Sequence, residues 1–275
     1  MRPLRVLSLN IWNRQGPWEK RRKLLERGLA ELAPDIIGLQ EVIHGKDGGL
    51  SCQAHELGEL WKAHGGPEEF HIAFGPAWSY ESGDQFGNAI LSRYPLTDQQ
   101  VFQLPTSDAR STVFARVMTP SGPLPFFCTH LSWRFEEGLL REDQVVAIAE
   151  KVKATVRDGD LPAVLVGDLN AAPDAAEIRY LRGLQSIGRT TIHFTDCFER
   201  VGQGPGYTFD PPANPHADLT YEAPRRIDYV LVRGPDDSGR GMPLSARVVM
   251  TEVVEDQGER VAPSDHFGVL AEIRF

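Results

Sequence analysis

Six places in the sequence set a carboxylate, an amide or an imidazole at the end of an apolar run, or inside one. Asn10 closes Leu7-Ser8-Leu9. Gln40 and Glu41 follow Ile36-Ile37-Gly38-Leu39. His130 follows Phe126-Phe127-Cys128-Thr129, and Asp168 and Asn170 follow Val164-Leu165-Val166-Gly167. Asp228 is embedded in Arg226-Ile227-Asp228-Tyr229-Val230, and Ser264-Asp265-His266 precede Phe267-Gly268-Val269-Leu270. Taken singly, each has an ordinary reading: a turn-forming Asn, a carboxylate entering a solvated loop, a hydrogen-bonded structural His, an Asx turn. As a set they are different. Charged groups at the ends of buried strands are costly to desolvate unless paired or coordinated. Asp168 and Asn170, two residues apart, point the same way from extended backbone. Carboxylates, amides and two histidines make an oxygen-rich set that suits Mg²⁺ or Mn²⁺. Zinc would want His or Cys at short spacing, and the sequence has no such cluster. A hard cation beside imidazoles suits phosphoryl chemistry, in which cation and donors stabilise charge on the phosphoryl oxygens.

These residues must be held by strands, and the apolar runs supply them. Val, Ile, Leu and Phe dominate segments 4–10, 35–42, 70–75, 88–92, 111–118, 124–131, 163–167, 226–232, 246–253 and 268–275, which predicts ten strands. Helices are predicted over 18–33, 136–156 and 174–184; in the second, Val145, Ile148, Val152 and Val156 recur at helical spacing. Strand runs outnumber helices and often follow one another without a crossover helix. That favours antiparallel or mixed sheets with helices outside over a purely parallel sheet. The stretches 202–224 and 235–243, rich in Gly, Pro, Asn and Asp, read as ordered loops.

Composition narrows the partners. The chain has 275 residues, 41% of them hydrophobic, which suits one large folded domain. A formal net charge of −9 disfavours bulk binding to nucleic acid, which relies on cationic contacts to phosphates. The only obvious basic cluster, Arg21-Arg22-Lys23, reads as a solvated helix face. Three scattered cysteines, Cys52, Cys128 and Cys197, do not form a disulfide framework, so a cytoplasmic setting is expected. No transmembrane segment or secretory leader is predicted, and a monomer is expected.

The same residues, in this order, resemble the motifs of the endonuclease/exonuclease/phosphatase superfamily, which includes pancreatic-type deoxyribonuclease, abasic-site endonucleases, inositol polyphosphate 5-phosphatases and neutral sphingomyelinases. The matching stretches are Leu9-Asn10, Leu39-Gln40-Glu41-Val42, Gly87-Asn88-Ala89-Ile90-Leu91-Ser92-Arg93-Tyr94-Pro95, Thr129-His130-Leu131, Gly167-Asp168-Leu169-Asn170, Arg226-Ile227-Asp228-Tyr229 and Ser264-Asp265-His266. They run through nearly the whole chain. The resemblance implies a single α/β domain over 1–275, a four-layer sandwich of two mixed β-sheets flanked by helices, with the site at one edge. It implies that Glu41 is the principal ligand of Mg²⁺ (or Mn²⁺), with Asn10 and Asp265 close to the metal. It implies that His266 pairs with Asp228, that Asp168 orients or deprotonates the attacking water, and that Asn170 and His130 hold the scissile phosphate. Either Asp168 or His266 could be the base.

The expected activity is Mg²⁺-dependent hydrolysis of a phosphodiester or phosphomonoester by in-line attack of an activated water. Asn88 is expected to support the site, Arg110 and Arg141 to reach substrate phosphate, and Trp133 to stack on substrate. Trp12, Trp78, Tyr80, Phe135, Tyr207 and Phe209 are further candidates for the cleft rim. Abasic-site enzymes carry Gln-Glu-Thr-Lys where this chain has Gln40-Glu41-Val42-Ile43, which places it nearer the sphingomyelinase and phosphatase side. The alternatives are a nuclease acting on DNA or RNA, and a non-catalytic binding module on the same fold.

Overall fold

A computed structural model describes residues 2–105 and 109–275. Its first sheet is built from β1 (Leu4–Asn10), β2 (Ile36–His44), β3 (His71–Ser79), β4 (Gln85–Ser92), β11 (Met242–Val249) and β14 (Gly268–Arg274), in the order β11-β14-β1-β2-β4-β3. The second contains β5 (Leu96–Gln103), β6 (Ser111–Thr119), β7 (Gly122–His130), β8 (Val164–Asp168), β9 (Thr195–Asp196) and β10 (Asp228–Val232), in the order β5-β6-β7-β8-β10-β9. A small hairpin joins β12 (Val254–Asp256) to β13 (Glu259–Val261). Each large sheet is mixed in the same way. β1 and β2 run parallel, as do β7 and β8, and the other pairings are antiparallel. Parallel neighbours need a crossover, supplied by α1 (Trp18–Leu32) and α3 (Gly138–Thr155).

The alternation of side chains along each strand divides the apolar residues among three layers. Val6, Ile36 and Ile90 of the first sheet meet Val113, Phe126, Val164 and Val166 of the second in a central core. Leu7, Leu9, Ile37 and Leu39 face outward onto α1 and α2 (Gln53–Ala63) through Leu25, Leu29, Leu57 and Trp61. Phe114, Phe127 and Leu165 face outward onto α3 and α4 (Ala176–Leu181) through Val145, Ile148, Val152 and Ile178. The result is the four-layer sandwich. A short α5 (Cys197–Val201) packs near β10 and β11. The three cysteines are buried and unpaired. Among the described residues no helix is long and apolar enough to cross a membrane.

Two glycines let the layers close up beside the polar strand ends. A Cβ on Gly38 would lie 2.2 Å from Val166 Cγ2, across the sandwich, and one on Gly167 would lie 2.2 Å from Thr129 O on the neighbouring strand.

The structure adds elements that the sequence pattern does not announce. β5 is an edge strand whose residues are mostly exposed, so it has no apolar run to read. α2 buries Ala54, Leu57 and Trp61 at spacings of three and four, a short stripe interrupted by Gly58. The expected helix over 174–184 shrinks to Ala176–Leu181.

The reading of Arg21 as a solvated face is corrected. Arg21 is fully buried, because it falls on the apolar stripe of α1 between Trp18 and Leu25. Its guanidinium donates to the carbonyls of Ile11, Trp12, Asn13, Gln15 and Pro263 at 2.9–3.2 Å. It thereby ties the loop after β1 to the segment that leads into Ser264. Burial pulls its pKa down to about 10, against the raising effect of Asp265 and Glu41. Lysine has three donors and no planar fork, so Arg21→Lys should leave carbonyls unsatisfied and destabilise the fold by about 3 kcal/mol. Denaturant unfolding checks this, and a loss below about 1 kcal/mol would contradict it.

Candidate active site

The two parallel pairs end at the same edge of the sandwich, and that edge collects the polar residues. Asn10 is the last residue of β1, Glu41 lies in β2 beyond its pairing with β1, and His130 and Asp168 end β7 and β8. β10 runs antiparallel to β8, so its first residue, Asp228, falls opposite Asp168. β14 runs antiparallel to β1, which brings the preceding Asp265 and His266 to the same end. Pairing β2 with β4 involves a bulge between Leu39 and Val42, and within it Glu41 takes a left-handed conformation with φ 58°. Asn170 likewise has φ 50°. Bulges and left-handed non-glycine residues re-aim side chains at a cost in strain, and here both belong to the cluster.

Asp168 is the hub. Its Oδ2 accepts from Asn10 Nδ2 at 3.1 Å and lies 3.4 Å from His130 Nε2 and 3.6 Å from His266 Nε2. Its Oδ1 accepts from the Asn170 backbone N–H at 2.9 Å. On the far side of the ring, His266 Nδ1 is 2.9 Å from Asp228 Oδ2. Asp228 is in turn fixed by its backbone N–H donating to Thr208 Oγ1 at 3.1 Å. Asn170 Nδ2 donates to Leu131 O and lies 3.1 Å from His130 Nε2.

Electrostatics give the two histidines different states. Burial opposes charge on His266, but the charges of Asp228 and Asp168 and the hydrogen bond to Asp228 outweigh it, and its pKa lies well above the ordinary histidine value. His130 is lowered well below that value by burial, with Arg110 and His266 adding repulsion, so it is neutral. Burial pushes Asp168 up to about 7, Asp228 adds to the rise, and His266, Asn10 and the Asn170 N–H oppose it.

Two groups of carboxylates compete as cation sites. Asp168, Asp228 and His266 bring ligand atoms within 4.8 Å of one another. A charged imidazole between two carboxylates has no lone pair to offer, so this trio is an ion-pair relay rather than a cage. Glu41 and Asp265 fit better. Asp265 is pushed up to about 6 by burial and by the charge of Glu41, a like-charge tension that a divalent cation relieves. Asn13 Nδ2 donates to Glu41 Oε2 at 3.0 Å, and Ser264 Oγ lies 3.2 Å from Asp265 Oδ1. Asn10 links the two carboxylates Glu41 and Asp168. Its Oδ1 accepts from Trp12 N at 2.9 Å, while Nδ2 donates to Glu41 Oε1 at 3.2 Å as well as to Asp168.

A cleft of about 470 Å³ opens over this edge. Glu41, Asp168, Asn170, His130 and His266 line its floor, with Arg110, Trp78, Tyr80, Trp133 and Phe209 also in its lining. Five of the expected residues, Arg141, Asn88, Trp12, Tyr207 and Phe135, stand outside the cleft lining. Arg141 is outside the cleft: it is buried, with Nε 2.6 Å from Glu177 Oε1 and Nη1 donating to the carbonyls of Ser132 and Arg134. It holds the loop that carries Trp133. Asn88 donates to Ser111 O at 2.8 Å, joining β4 to β6 across the two sheets, and does not line the cleft. Trp12 packs beside His216, with the Arg21 guanidinium 4.9 Å from its ring. Tyr207 lines a separate groove beside β11. Sequence reasoning missed Asn13, Gln15, Thr208, Glu222 and Arg225, which sit in loops without a periodic pattern. Asn13 alone carried a signal, as a second amide three residues after Asn10.

Comparison of the sequence with curated proteins finds no match. Among solved structures, the fold is similar to that of TDP2 from D. rerio complexed with single strand DNA product, at 21% identity and a TM-score of 0.76, covering 99% of each chain. An endonuclease/exonuclease/phosphatase family protein from Leptotrichia buccalis superimposes with a TM-score of 0.72 at 17% identity, over 99% of this chain and 100% of that one. The corresponding protein from Bacteroides vulgatus gives 0.71 at 19% identity over 100% of both chains. At these identities the likeness concerns the fold. The family model for the Endonuclease/Exonuclease/phosphatase family matches residues 7–266, a span that takes in every polar residue of the cluster. The chain belongs to the endonuclease/exonuclease/phosphatase family.

Proposed function

We propose that the protein hydrolyses a phosphodiester with the help of a divalent cation, Mg²⁺ or Mn²⁺, held by Glu41 and Asp265. The observation that carries this reading is the position of Asp168, a buried carboxylate that faces His130 and His266 from one oxygen. When bound, the cation supplies positive charge against a non-bridging phosphoryl oxygen. The chain's own residues supply the rest. Asp168 is the base that positions the attacking water and takes its proton. Its pKa, raised to about 7, matches that task near neutral pH. His266, charged and aligned by Asp228, presents Nε2–H toward the same space and stabilises negative charge as it develops. His130 is a neutral ring, and with the Asn170 amide it offers uncharged polar contacts to the phosphoryl group. Asn10 spans Glu41 and Asp168, so the cation site and the base are held in one frame.

The cleft favours a diester over a monoester, since aromatic side chains on its walls extend contact beyond a single phosphate. Nucleic acid is the second reading, supported by the similar fold of a D. rerio TDP2 structure that holds a single strand DNA product. A non-catalytic module is disfavoured because Glu41, Asp168, Asp228 and His266 are all in place.

Two outcomes test the reading. Glu41→Ala should weaken Mg²⁺ binding about tenfold or more in calorimetry and lower phosphodiester turnover with it; unchanged Mg²⁺ affinity would place the cation elsewhere. His266→Ala should reduce kcat about 100-fold or more, with far-UV circular dichroism showing the fold retained. Full activity in that variant would remove His266 from the mechanism.

A further inference from the structure

The proposed chemistry leaves one side of the cleft without a role. Among the described residues that line it, the arginines are Arg110 and Arg225. Arg225 stands on the segment after the loop that carries Thr220 and Glu222, which also line the cleft. Its backbone is pinned, with N donating to Phe209 O at 2.8 Å and O accepting from Thr208 N and Phe209 N. Its guanidinium lies 4.6 Å from the ring of Phe135 and 5.6 Å from that of Phe209. Stacking of that kind restrains the planar fork and leaves its edge free for hydrogen bonds. Nη2 bonds Glu222, while Nε is buried and has no hydrogen-bond partner among the described residues. The cleft lining therefore holds a pre-oriented cation paired with one neighbouring carboxylate, Glu222.

We propose that Arg225 binds a second anionic group of the substrate, a phosphate beyond the scissile one, and that Glu222 is its intramolecular competitor. The inference rests on the reading of the cleft as a phosphodiesterase site and specifies its substrate class. A phosphate offers the guanidinium two oxygens in place of the one pairing it keeps with Glu222, and charge-assisted pairs of that geometry are the stronger ones. Substrates with a single phosphate leave Arg225 paired to Glu222 and gain nothing from it. The second phosphate could belong to a nucleic-acid strand or to a phosphorylated small molecule. The chemistry at Arg225 is the same.

The test uses two pairs of p-nitrophenyl diesters. One pair is thymidine 5′-(p-nitrophenyl phosphate) with and without a 3′-phosphate. The other is p-nitrophenyl 3-hydroxypropyl phosphate and its phosphorylated counterpart. The readout is the ratio of kcat/KM within each pair. The wild-type protein should prefer the doubly phosphorylated member about tenfold. Arg225→Met should reduce that ratio at least fivefold, and Glu222→Gln should raise it. A general packing defect lowers both members of a pair together and leaves the ratio where it was, so the readout separates recognition from folding. Preference in both pairs supports recognition of the phosphate itself; preference in the thymidine pair alone supports a nucleic-acid strand as its source. Turnover of all four esters without preference, or a ratio insensitive to Arg225→Met and Glu222→Gln, overturns the inference and leaves the hydrolase reading standing. Turnover of none contradicts the hydrolase reading as well.

Discussion

A buried carboxylate, Asp168, is the constraint around which the rest of the site is arranged. An unpartnered charge in its position would cost several kcal/mol. The fold meets that cost with an amide from one sheet, a backbone N–H two residues on, and imidazoles on two sides. None of these partners is local to Asp168 except Asn170. Asn10 comes from the other sheet, His130 from the parallel neighbour and His266 from the segment before β14. The carboxylate therefore has its partners only when both sheets are assembled face to face.

That dependence explains features that would otherwise read as decoration. Gly38 and Gly167 permit the close approach of strands near the edge. Asn88 joins the sheets through Ser111 O. Arg21 gathers the carbonyls of the loop after Asn10 and of Pro263, so the segments that carry Asn10, Asn13 and Asp265 share one buried anchor. The bulge that turns Glu41 places its carboxylate on the same frame. Hydrogen bonds orient the polar residues where the proposed chemistry needs aligned dipoles, and the aromatic side chains Trp78, Tyr80 and Trp133 of the cleft lining are exposed.

Much of this was legible in the sequence. Glu41, His130, Asp168, Asp228 and His266 stood out because each interrupts an apolar run, where a polar group needs a reason. The strands that carry them were legible for the same reason. Arg21 was misread because three consecutive basic residues suggest solvent, although position 21 lies on the stripe of Trp18, Leu25 and Leu29. Arg141 was misread because its partner, Glu177, is 36 residues away and only the packing of α3 on α4 brings them together. Arg225 and Glu222 were invisible because an irregular loop carries no periodicity. Residues on regular elements announce themselves by breaking a pattern, and loop residues have no pattern to break.

The central claim is that Asp168 positions and deprotonates the attacking water. The most direct measurement is the Mg²⁺-dependent release of p-nitrophenol from bis(p-nitrophenyl) phosphate by the Asp168→Asn protein beside the wild type. The substitution keeps the shape and the hydrogen bonds that the carboxylate accepts through one oxygen, but removes the base. The account predicts a fall in kcat of about 100-fold or more with Mg²⁺ affinity at Glu41 and Asp265 retained. An Asp168→Asn protein that turns over at the wild-type rate would contradict it.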